Sequence, residues 1–409
     1  MNFYTSVSRY GNSILYRGYN ENGSSITHKY DFKPKLFVQS DKGEEWRGLD
    51  GEKIAPIEFS NMKEARQFLE RYGEVDNFKV YGTDRYVHQF IAEKFPNEIK
   101  FDRNLINVCN IDIEVASDDG FPLPEHAHYP IISIALKSSK STIYEVWGLG
   151  DYDYTKSEID LNGDLIHYRK FDNEVALLAS FISYWTSNCP DVVTGWNVRF
   201  FDIPYIVNRI QRVGSDIGAK RLSPWNMVEE RNITTARGTQ QMYNITGVEQ
   251  LDYLELFKKF GYTYGAQESY KLDHIAHVVL GEKKLSYEEY GSLHTLYKSN
   301  HQKFIDYNIK DVQLVDRLED KMGLITLALT VAYKGGVNYG DTFGVTAIWD
   351  SIIYRELMSK KIVPAINKNH STRSTFAGGY VKDPHVGMHE WVVSFDLNSL
   401  YPNIIAQWN

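Results

Sequence analysis

Cysteine is nearly absent from this chain of 409 residues, which has two copies of it, Cys109 and Cys189. Two thiols are too few for a disulfide framework or for a zinc site built from thiolates. Long apolar runs are also missing, because the longest, near residues 325–333, is far shorter than the roughly 18 residues of a membrane span. No charged and then apolar leader precedes the first strand-like residues, so we expect a cytoplasmic protein without a membrane anchor.

Basic residues are fewer than acidic ones, with 45 Lys and Arg and 53 Asp and Glu, which gives a net charge of −8. This balance argues against a chain that coats nucleic acid through general positive charge. It is compatible with an acidic metal centre in a locally basic cleft. The 43% hydrophobic content is enough for substantial cores, and this length usually corresponds to two or three domains.

The pattern of apolar residues divides the chain into four segments. Short alternating strands, a hairpin with its turn at Asn22-Gly23 and a helix at "NMKEARQFLERYG" predict an N-terminal domain over residues 1–105. Strands alternate with helices over 106–325, as in an α/β layer. Residues 326–370 predict helices that pack back on the N-terminal domain, and over 371–409 the pattern returns to strands. The predicted class is a mixed α/β protein.

The stretch "LINVCNIDIEVAS" at residues 105–117 reads as a buried strand with two acidic residues near its end. Side chains alternate along a strand, so Asp112 and Glu114 lie on the same face. Two neighbouring buried carboxylates repel each other and are stable chiefly with a cation between them, and hard oxygen ligands favour Mg²⁺ or Mn²⁺. The alternative is a solvated strand edge.

A second acidic candidate, Asp202, follows an apolar strand and the tripeptide Gly195-Trp196-Asn197. A carboxylate at the junction of strand and helix could join the first two at one site. The alternative is a helix N-cap with Pro204 in the first turn, which would explain both residues without chemistry.

A third signal lies in "SNHQKFIDYNIKDVQLVDRLEDKM", whose apolar stripe predicts a helix. Ser299 and Gln302 fit a capping box at its start. Tyr307 and Asp311 are four residues apart, so they lie on one helical face and could reach the same site. An exposed Tyr–Asp pair is the alternative.

The three signals occur in the order Asp-x-Glu, Asn-x4-Asp and Tyr-x3-Asp. This set resembles the DEDD exonucleases of the tyrosine subtype, since the histidine subtype would need a His where Asp306 stands. The segments "GWN", "LDYLELFKKF", "NHQKFIDYNIKDV" and "SFDLNSLYP" are similar to family B replicative DNA polymerases of T-even-type bacteriophages. The resemblance covers nearly the whole chain. It implies a phage protein of the bacterial cytoplasm with a β-rich N-terminal domain, an RNase H-like 3′–5′ exonuclease domain and the start of a polymerase palm.

By this resemblance, the chain carries a two-metal editing site. Asp112, Glu114, Asp202 and Asp311 would hold two Mg²⁺ or Mn²⁺ ions, and Tyr307 would orient the water or the scissile phosphate. The implied reaction is hydrolysis of the terminal phosphodiester of single-stranded DNA, with release of a deoxynucleoside monophosphate.

The resemblance also implies residues that bind DNA. Phe121 would pack on the terminal base, Asn197 would contact substrate, and Lys284 would contact phosphate. Lys283 takes the place of Lys284 if the spacing is shifted by one, and a surface lysine is the alternative for either. Residues 231–247, around Gly238, resemble a β-hairpin that helps to part primer from template, although an ordinary hairpin would look the same.

The stretch "WVVSFDLNSLYPNII" reads as a strand that ends at Asp396 and a helix that begins near Pro402. A carboxylate there can bind metal while backbone amides at the helix start face a triphosphate, although a strand-end Asp that caps the helix is the alternative. The resemblance implies palm roles for seven residues. They are Asp396 and the carbonyl of Leu397 as metal ligands, the amides of Ser399 and Leu400 for the triphosphate, Tyr401 under the sugar, and Gly378 and Gly379 near DNA.

Primer extension also requires a second palm carboxylate, fingers and a thumb, and we find none of these in the 409 residues. We therefore expect the exonuclease to be the activity of this chain, and extension to need a C-terminal half from a second polypeptide or a longer chain. The implied partners are primer-template and single-stranded DNA, and a sliding clamp that binds the missing C-terminus. The alternatives are a free-standing DEDD nuclease and a non-catalytic replisome module.

Overall fold

The computed structural model of the chain describes residues 2–42, 45–73, 75, 77–116, 120, 122–214, 216–235, 238–366 and 378–408. They divide into two compact units, Met1–Ile366 and Asn367–Asn409. The strands are β1 (Phe3–Tyr10), β2 (Ser13–Tyr19), β3 (Ser25–Asp31), β4 (Lys35–Gln39), β5 (Trp46–Gly48), β6 (Lys53–Glu58), β7 (Val80–Tyr81), β8 (Val108–Val115), β9 (Ile131–Ser138), β10 (Ile143–Leu149), β11 (Leu165–Phe171), β12 (Val192–Thr194), β13 (Val228–Thr235), β14 (Gly238–Ile245), β15 (Glu249–Gln250) and β16 (Ile362–Val363).

Helices separate groups of strands in the first 250 residues, and from residue 253 to residue 359 they follow one another without a strand between them. They are α1 (Met62–Tyr72), α2 (Tyr86–Lys94), α3 (Glu174–Ser187), α4 (Asp202–Val213), α5 (Asp216–Lys220), α6 (Tyr253–Phe260), α7 (Leu272–Leu280), α8 (Leu293–Ser299), α9 (His301–Met322), α10 (Leu324–Gly335), α11 (Thr346–Ser359) and α12 (Leu400–Trp408). Within the described ranges, no helix is long and apolar enough to cross a membrane.

Two small sheets form the N-terminal part, in the orders β1-β2-β3 and β16-β5-β6-β4-β7. The predicted hairpin is present as β2 and β3, but the pairing of Tyr19 with Ser25 makes its loop five residues long. Asn20 closes that loop, because its side-chain oxygen accepts hydrogen bonds from the backbone N–H groups of Asn22 and Ser24. Gly23 adopts a left-handed φ of 76°, which glycine allows without steric cost.

A six-stranded sheet in the order β11-β10-β9-β8-β12-β15 forms the centre of the first unit. Strand β8 pairs antiparallel with β9 and parallel with β12. Its apolar face, including Ile111 and Ile113, belongs to the core that also contains Phe181 of α3 and Ile206 of α4. On the other face, Ile305 and Ile309 of α9 share a core with β9 and β10. This two-sided packing agrees with the predicted mixed α/β class, and it places β8 against α9.

Helix α9 begins one residue later than its predicted capping box requires. Ser299 ends α8, and its hydroxyl donates to the carbonyl of Thr295, so it does not cap α9. The cap is Asn300, whose side chain accepts from the N–H of Lys303. The capping box was therefore predicted one residue too early.

A buried ion pair ties the first sheet to the central one. Arg17 of β2 donates to the carbonyls of Gly247 at 2.9 Å and Cys189 at 2.8 Å, and it lies 3.4 Å from the carboxylate of Asp191. Asp191 also accepts from the hydroxyl of Tyr19 at 2.8 Å and from the N–H of Asn107 at 2.8 Å. Because Asn107 immediately precedes β8 and Asp191 precedes β12, this network fixes the register of the two central strands.

The second unit contains α12 but none of the strands predicted for it among residues 378–408. Val393 and Phe395, in the stretch predicted to be a strand, are 69% and 92% exposed and pair with no other segment of that range. A strand requires a hydrogen-bonded neighbour, so an apolar run by itself does not form one. Helix α12 begins at Leu400, two residues before the predicted start, with Pro402 tolerated in its first turn.

Candidate active site

Three carboxylates meet between the central sheet and α9. Asp112 and Glu114 extend from one face of β8, as the strand pattern predicts, and Asp311 faces them from α9. One carboxylate oxygen from each lies within 4.8 Å of the other two, which no other set of three metal-binding side chains in the described residues achieves. We call Asp112, Glu114 and Asp311 the carboxylate cluster. The solvated-edge alternative for Asp112 and Glu114 is wrong, because this face is covered by a helix.

Asp202 lies beside the carboxylate cluster but outside its 4.8 Å limit. It is the first residue of α4, where Phe201 is the N-cap, so the N-cap alternative for Asp202 is wrong. Asp202 is 2% exposed, and its carboxylate reaches across to β8, where it accepts from the N–H of Ile113 at 3.1 Å. The structure thus brings three of the four predicted ligands together and places the fourth against the same strand.

Burial and mutual repulsion make the negative charge at this site unfavourable. Burial, followed by the charges of Asp311 and Asp202, raises the pKa of Asp112 well above its ordinary value. Burial and then Asp311 raise the pKa of Glu114 to about 8, and burial raises that of Asp202 to about 8. Positive charge nearby is what would keep these acids ionised at neutral pH.

Lys284 supplies one positive charge. Its ammonium donates to Asp311 and lies 3.2 Å from the hydroxyl of Tyr307. Burial lowers the pKa of Lys284, but the carboxylates of Asp311 and Asp112, together with the hydrogen bond to Asp311, outweigh burial and raise that pKa well above its ordinary value. The surface alternative for Lys284 is wrong, because its side chain is 25% exposed, whereas Lys283 is exposed.

The segment that carries Lys284 is held by ion pairs to α9. Glu282 lies 3.2 Å from Lys310 and 2.9 Å from Arg317, both on that helix. The N–H of Lys284 donates to Asp273 of α7 at 2.8 Å. These contacts select Lys284 over its neighbour as the lysine that enters the carboxylate cluster.

The cluster fits a divalent cation by its donor set. One carboxylate oxygen of Asp311, Oδ1, is buried and has no hydrogen-bond partner within the described residues. A buried oxygen that carries charge is costly unless it is paired, and oxygen donors from three acids suit a hard cation. Lys284 occupies Oδ2 of the same group, which leaves Oδ1 for another ligand.

Tyr307 and Asp311 lie on the inner face of α9, with 5% and 4% exposed, so the exposed-pair alternative is wrong. The ring of Tyr287 packs edge-on against Tyr307 with centroids 5.6 Å apart. Burial and then Asp311 raise the pKa of Tyr307. The phenol therefore keeps its proton at neutral pH and can act as a hydrogen-bond donor.

A cavity of about 1050 Å³ opens beside the carboxylate cluster. Lysines and aromatic rings line it together with the acids, and Asn197 lies on its wall. Its lining holds three lysines and four acids, so the cleft is mixed in charge and is not the locally basic one that the composition permits. The cationic and aromatic lining is Lys271, Lys283, Lys284, Trp196, Tyr270, Tyr287 and Tyr307.

Asn197 adopts a left-handed φ of 68°, and Asp252 holds its loop. The carboxylate of Asp252 accepts from the N–H groups of Asn197 at 3.1 Å and Arg199 at 3.0 Å. It also caps α6 by accepting from Leu254. Sequence analysis missed Asp252, although an Asp before the helical stretch "YLELFKKF" is a recognisable cap signal.

Asn308 is the second residue that sequence analysis missed. Its amide donates to Asp112 at 2.7 Å, and it is fully buried between α9 and β8. Its position, three residues before Asp311 on the same helical face, was the available signal.

The remaining predicted DNA contacts have different outcomes. Phe121 lies outside the described residues. The hairpin predicted around Gly238 is confirmed as a structure, since β13 and β14 pair antiparallel from Val228 with Ile245 onward. Its role in parting DNA strands stays a prediction.

The predicted palm residues belong to the Asn367–Asn409 unit. Ser399, with a left-handed φ of 54°, directly precedes α12. Tyr401 is 77% exposed. All seven are exposed, namely Gly378, Gly379, Asp396, Leu397, Ser399, Leu400 and Tyr401.

Comparison with known proteins now decides the family. Residues 52–275 match the model of the exonuclease domain of DNA polymerase family B, and residues 346–409 match the model of DNA polymerase family B itself. The chain belongs to DNA polymerase family B. The predicted RNase H-like class is consistent with this membership, and the second match argues against a free-standing nuclease.

Relatives extend the match over the whole chain. The DNA-directed DNA polymerase of Escherichia phage RB69 is 34% identical over 100% of this chain and 47% of its own length. That of Enterobacteria phage T4 is 32% identical over 100% of this chain and 46% of its own length. The DNA polymerase delta catalytic subunit of Candida albicans is 25% identical over 74% of this chain and 30% of its own length. The chain thus spans about half the length of the phage relatives.

Membership of family B implies use of divalent metal by the exonuclease domain, and the carboxylate cluster is the acidic group available for it. Asp112, Glu114 and Asp202 lie within the matched exonuclease range, whereas Tyr307 and Asp311 lie beyond its end. The two phage relatives, which match the whole chain, include the region of these last two residues.

Proposed function

We propose that this chain is a 3′–5′ exonuclease that releases deoxynucleoside monophosphates from single-stranded 3′ ends, within a phage-type polymerase. The observation that carries the proposal is the carboxylate cluster, with the unpaired Oδ1 of Asp311, on the wall of a cleft lined by lysines and aromatic rings. We assign the domain to residues 106–325.

Asp112, Glu114 and Asp311 would hold two ions, Mg²⁺ or Mn²⁺, with Asp202 as the fourth carboxylate. When bound, such ions supply Lewis-acid stabilisation of the charge that develops on a phosphodiester as it is cleaved. The cleft's own residues position the substrate. Rings such as Trp196 and Tyr287 offer faces for sequence-tolerant stacking of unpaired bases.

Lys284 and Tyr307 act on the scissile phosphate in this proposal. The ammonium of Lys284 balances phosphate charge, and the buried phenol of Tyr307, which keeps its proton, donates a hydrogen bond to a phosphate oxygen or to the attacking water. Lys284 can serve both the acids and the phosphate because it ends at the cleft surface, a quarter exposed.

The direct test is digestion of an end-labelled single-stranded oligonucleotide with Mg²⁺. We expect shortening from the 3′ end by the parent chain and none by Asp112→Ala with Glu114→Ala. Asp41→Ala with Glu45→Ala is the matched control, because it also removes two acids but from exposed positions. Equal digestion by the Asp112/Glu114 variant would falsify the assignment, and folded parent chain without digestion would favour a non-catalytic replisome module.

We also propose that Asp396, Leu397, Ser399, Leu400 and Tyr401 supply the first part of a nucleotide site in DNA synthesis, and that Gly378 and Gly379 approach DNA. The support is the match of residues 346–409 to the family model. Primer-template DNA and a sliding clamp are the proposed partners. Extension of a primer by these 409 residues alone would refute the view that the second palm carboxylate must come from elsewhere.

A further inference from the structure

A buried polar relay reaches Asp112 through residues that do not line the cleft. The amide nitrogen Nδ2 of Asn308 donates to Oδ2 of Asp112 at 2.7 Å. The amide oxygen Oδ1 of Asn308 accepts from the hydroxyl of Ser133 at 2.8 Å. Ser133 and Asn308 are both 0% exposed, so no solvent replaces either contact.

The chemistry of the relay determines which way the amide of Asn308 faces. With a cation bound, Asp112 is ionised and its carboxylate only accepts hydrogen bonds, so the NH₂ group points to Asp112 in that state. The oxygen then points to Ser133, which donates its hydroxyl proton. The hydroxyl of Ser133 can donate or accept, so it accommodates this amide orientation and supplies the proton that the amide oxygen accepts.

The fold holds both ends of the relay. Ser133 lies on β9 directly opposite Glu114 of β8, so the sheet register places it beside the carboxylate cluster. Asn308 lies on α9 three residues before Asp311. The relay thus runs from β9 through α9 to β8, and the last two of these elements carry the three acids.

We propose that Asn308, held by Ser133, is a positioning residue that orients the carboxylate of Asp112 for a divalent cation. The amide holds Oδ2 of Asp112, and Oδ1 remains available as a ligand for the cation. This inference rests on the proposed function, since it concerns how the same site prepares to bind metal.

The test is direct titration of the full chain with Mn²⁺, followed by electron paramagnetic resonance of the free ion. We expect Asn308→Leu, which keeps the volume but removes both hydrogen bonds, to weaken Mn²⁺ binding by about 10-fold or more, as is typical of residues that orient metal ligands. Ser133→Ala should cause a smaller loss, because Asn308 still reaches Asp112. In digestion assays both variants should need more metal for half-maximal rate and recover much of the rate when metal saturates.

Asn110→Leu is the matched control. Asn110 is also a buried amide on this face of β8, but it donates to the carbonyl of Val312 and to Asp316 and not to the carboxylate cluster. We expect it to lower the melting temperature without weakening Mn²⁺ binding. If Asn110→Leu weakened Mn²⁺ binding as much as Asn308→Leu does, the inference would be overturned, because both losses would then reflect general destabilisation.

The outcomes separate this inference from the proposed function. If the parent chain binds Mn²⁺ and digests DNA while Asn308→Leu binds equally well, the inference alone fails. If the parent chain binds no Mn²⁺, the proposed function fails and the inference with it. Should Asn308→Leu not fold, Ser133→Ala decides, because unchanged Mn²⁺ affinity there overturns the role given to the relay.

Discussion

Replacing Lys284 by Met should destabilise the chain when divalent metal is absent. The substitution keeps the side-chain length but removes the cation that faces Asp311 and Tyr307. Removing one partner of a fully buried ion pair costs about 3–5 kcal/mol in free energy of unfolding. The Lys284 side chain is 25% exposed, and solvent weakens its ion pair. We therefore expect a loss of about 2–3 kcal/mol in free energy of unfolding, at or below the lower limit for a buried pair.

This loss translates into a small but measurable shift in melting temperature. Unfolding entropy is about 2.1 cal/mol/K per residue, or about 0.8 kcal/mol/K for the Met1–Ile366 unit. A loss of 2–3 kcal/mol then lowers the melting temperature by about 3–4 °C. Calorimetry in EDTA measures it, and added Mg²⁺ should narrow the gap, because a bound cation replaces the missing charge and stabilises the native state by mass action.

Lys283→Met is the control, since this neighbouring lysine is exposed and should shift stability by no more than about 0.5 kcal/mol. Equal melting of Lys284→Met and the parent chain in EDTA would refute the view that Lys284 is the counter-ion of the carboxylate cluster. A gap that Mg²⁺ leaves unchanged would show that the loss comes from packing.

Three further predictions concern the fold and the chemistry. Arg17→Met should lower the free energy of unfolding in denaturant by about 3–5 kcal/mol, because Asp191 is left buried without its cation. Arg231→Met, which removes one partner of an exposed ion pair, should lower it by under about 1 kcal/mol. Equal losses for the two variants would contradict the structural role of Arg17. Burial raises the pKa of Asp316 to about 7 in the folded chain, above its value of about 3.9 in the unfolded chain. The folded state therefore holds this proton more tightly, and the ionisation of Asp316 should lower the free energy of unfolding as pH rises from about 4 to 7. Asp316→Asn should flatten that part of the pH profile, and an unchanged profile would argue against the raised pKa. Tyr307→Phe should slow digestion roughly 100-fold with little change in melting temperature, as expected for loss of one positioned hydrogen-bond donor. Tyr287→Phe should change the digestion rate little. Similar digestion rates for both variants would exclude a role for the Tyr307 hydroxyl.

Local patterns were enough to predict the elements that carry the site. The two-residue period of a strand places Asp112 and Glu114 on one face wherever the strand lies, and β8 keeps that pattern. The helical period likewise places Tyr307 and Asp311 together on α9. Both relations depend on backbone geometry within one element, so no knowledge of the neighbouring elements is required.

Predictions that depended on neighbours were the ones that failed. The apolar run before Asp396 does not form a strand in the described part of the second unit, because strand formation depends on a partner that the run itself does not specify. The capping box at Ser299 failed because α8 ends at that residue, which leaves Asn300 as the cap. Each error concerns which other element lies next to the residue, and this is information that a local pattern does not contain.

The contact of Lys284 with Asp311 shows how a neighbouring element can place one of two adjacent lysines at the carboxylate cluster, whereas which of the two contacts phosphate stays a prediction. Adjacent residues on an irregular segment point in different directions, so only one of the two can enter the carboxylate cluster. Glu282 settles the direction by pairing with Lys310 and Arg317 on α9, the helix that also carries Asp311. The helix therefore supplies an acid of the site and also holds the segment that brings the balancing cation. Helix α9 therefore links an acid of the carboxylate cluster to the position of the counter-ion, Lys284. Removing the carboxylate of Glu282 should displace Lys284 without altering any residue of the cluster.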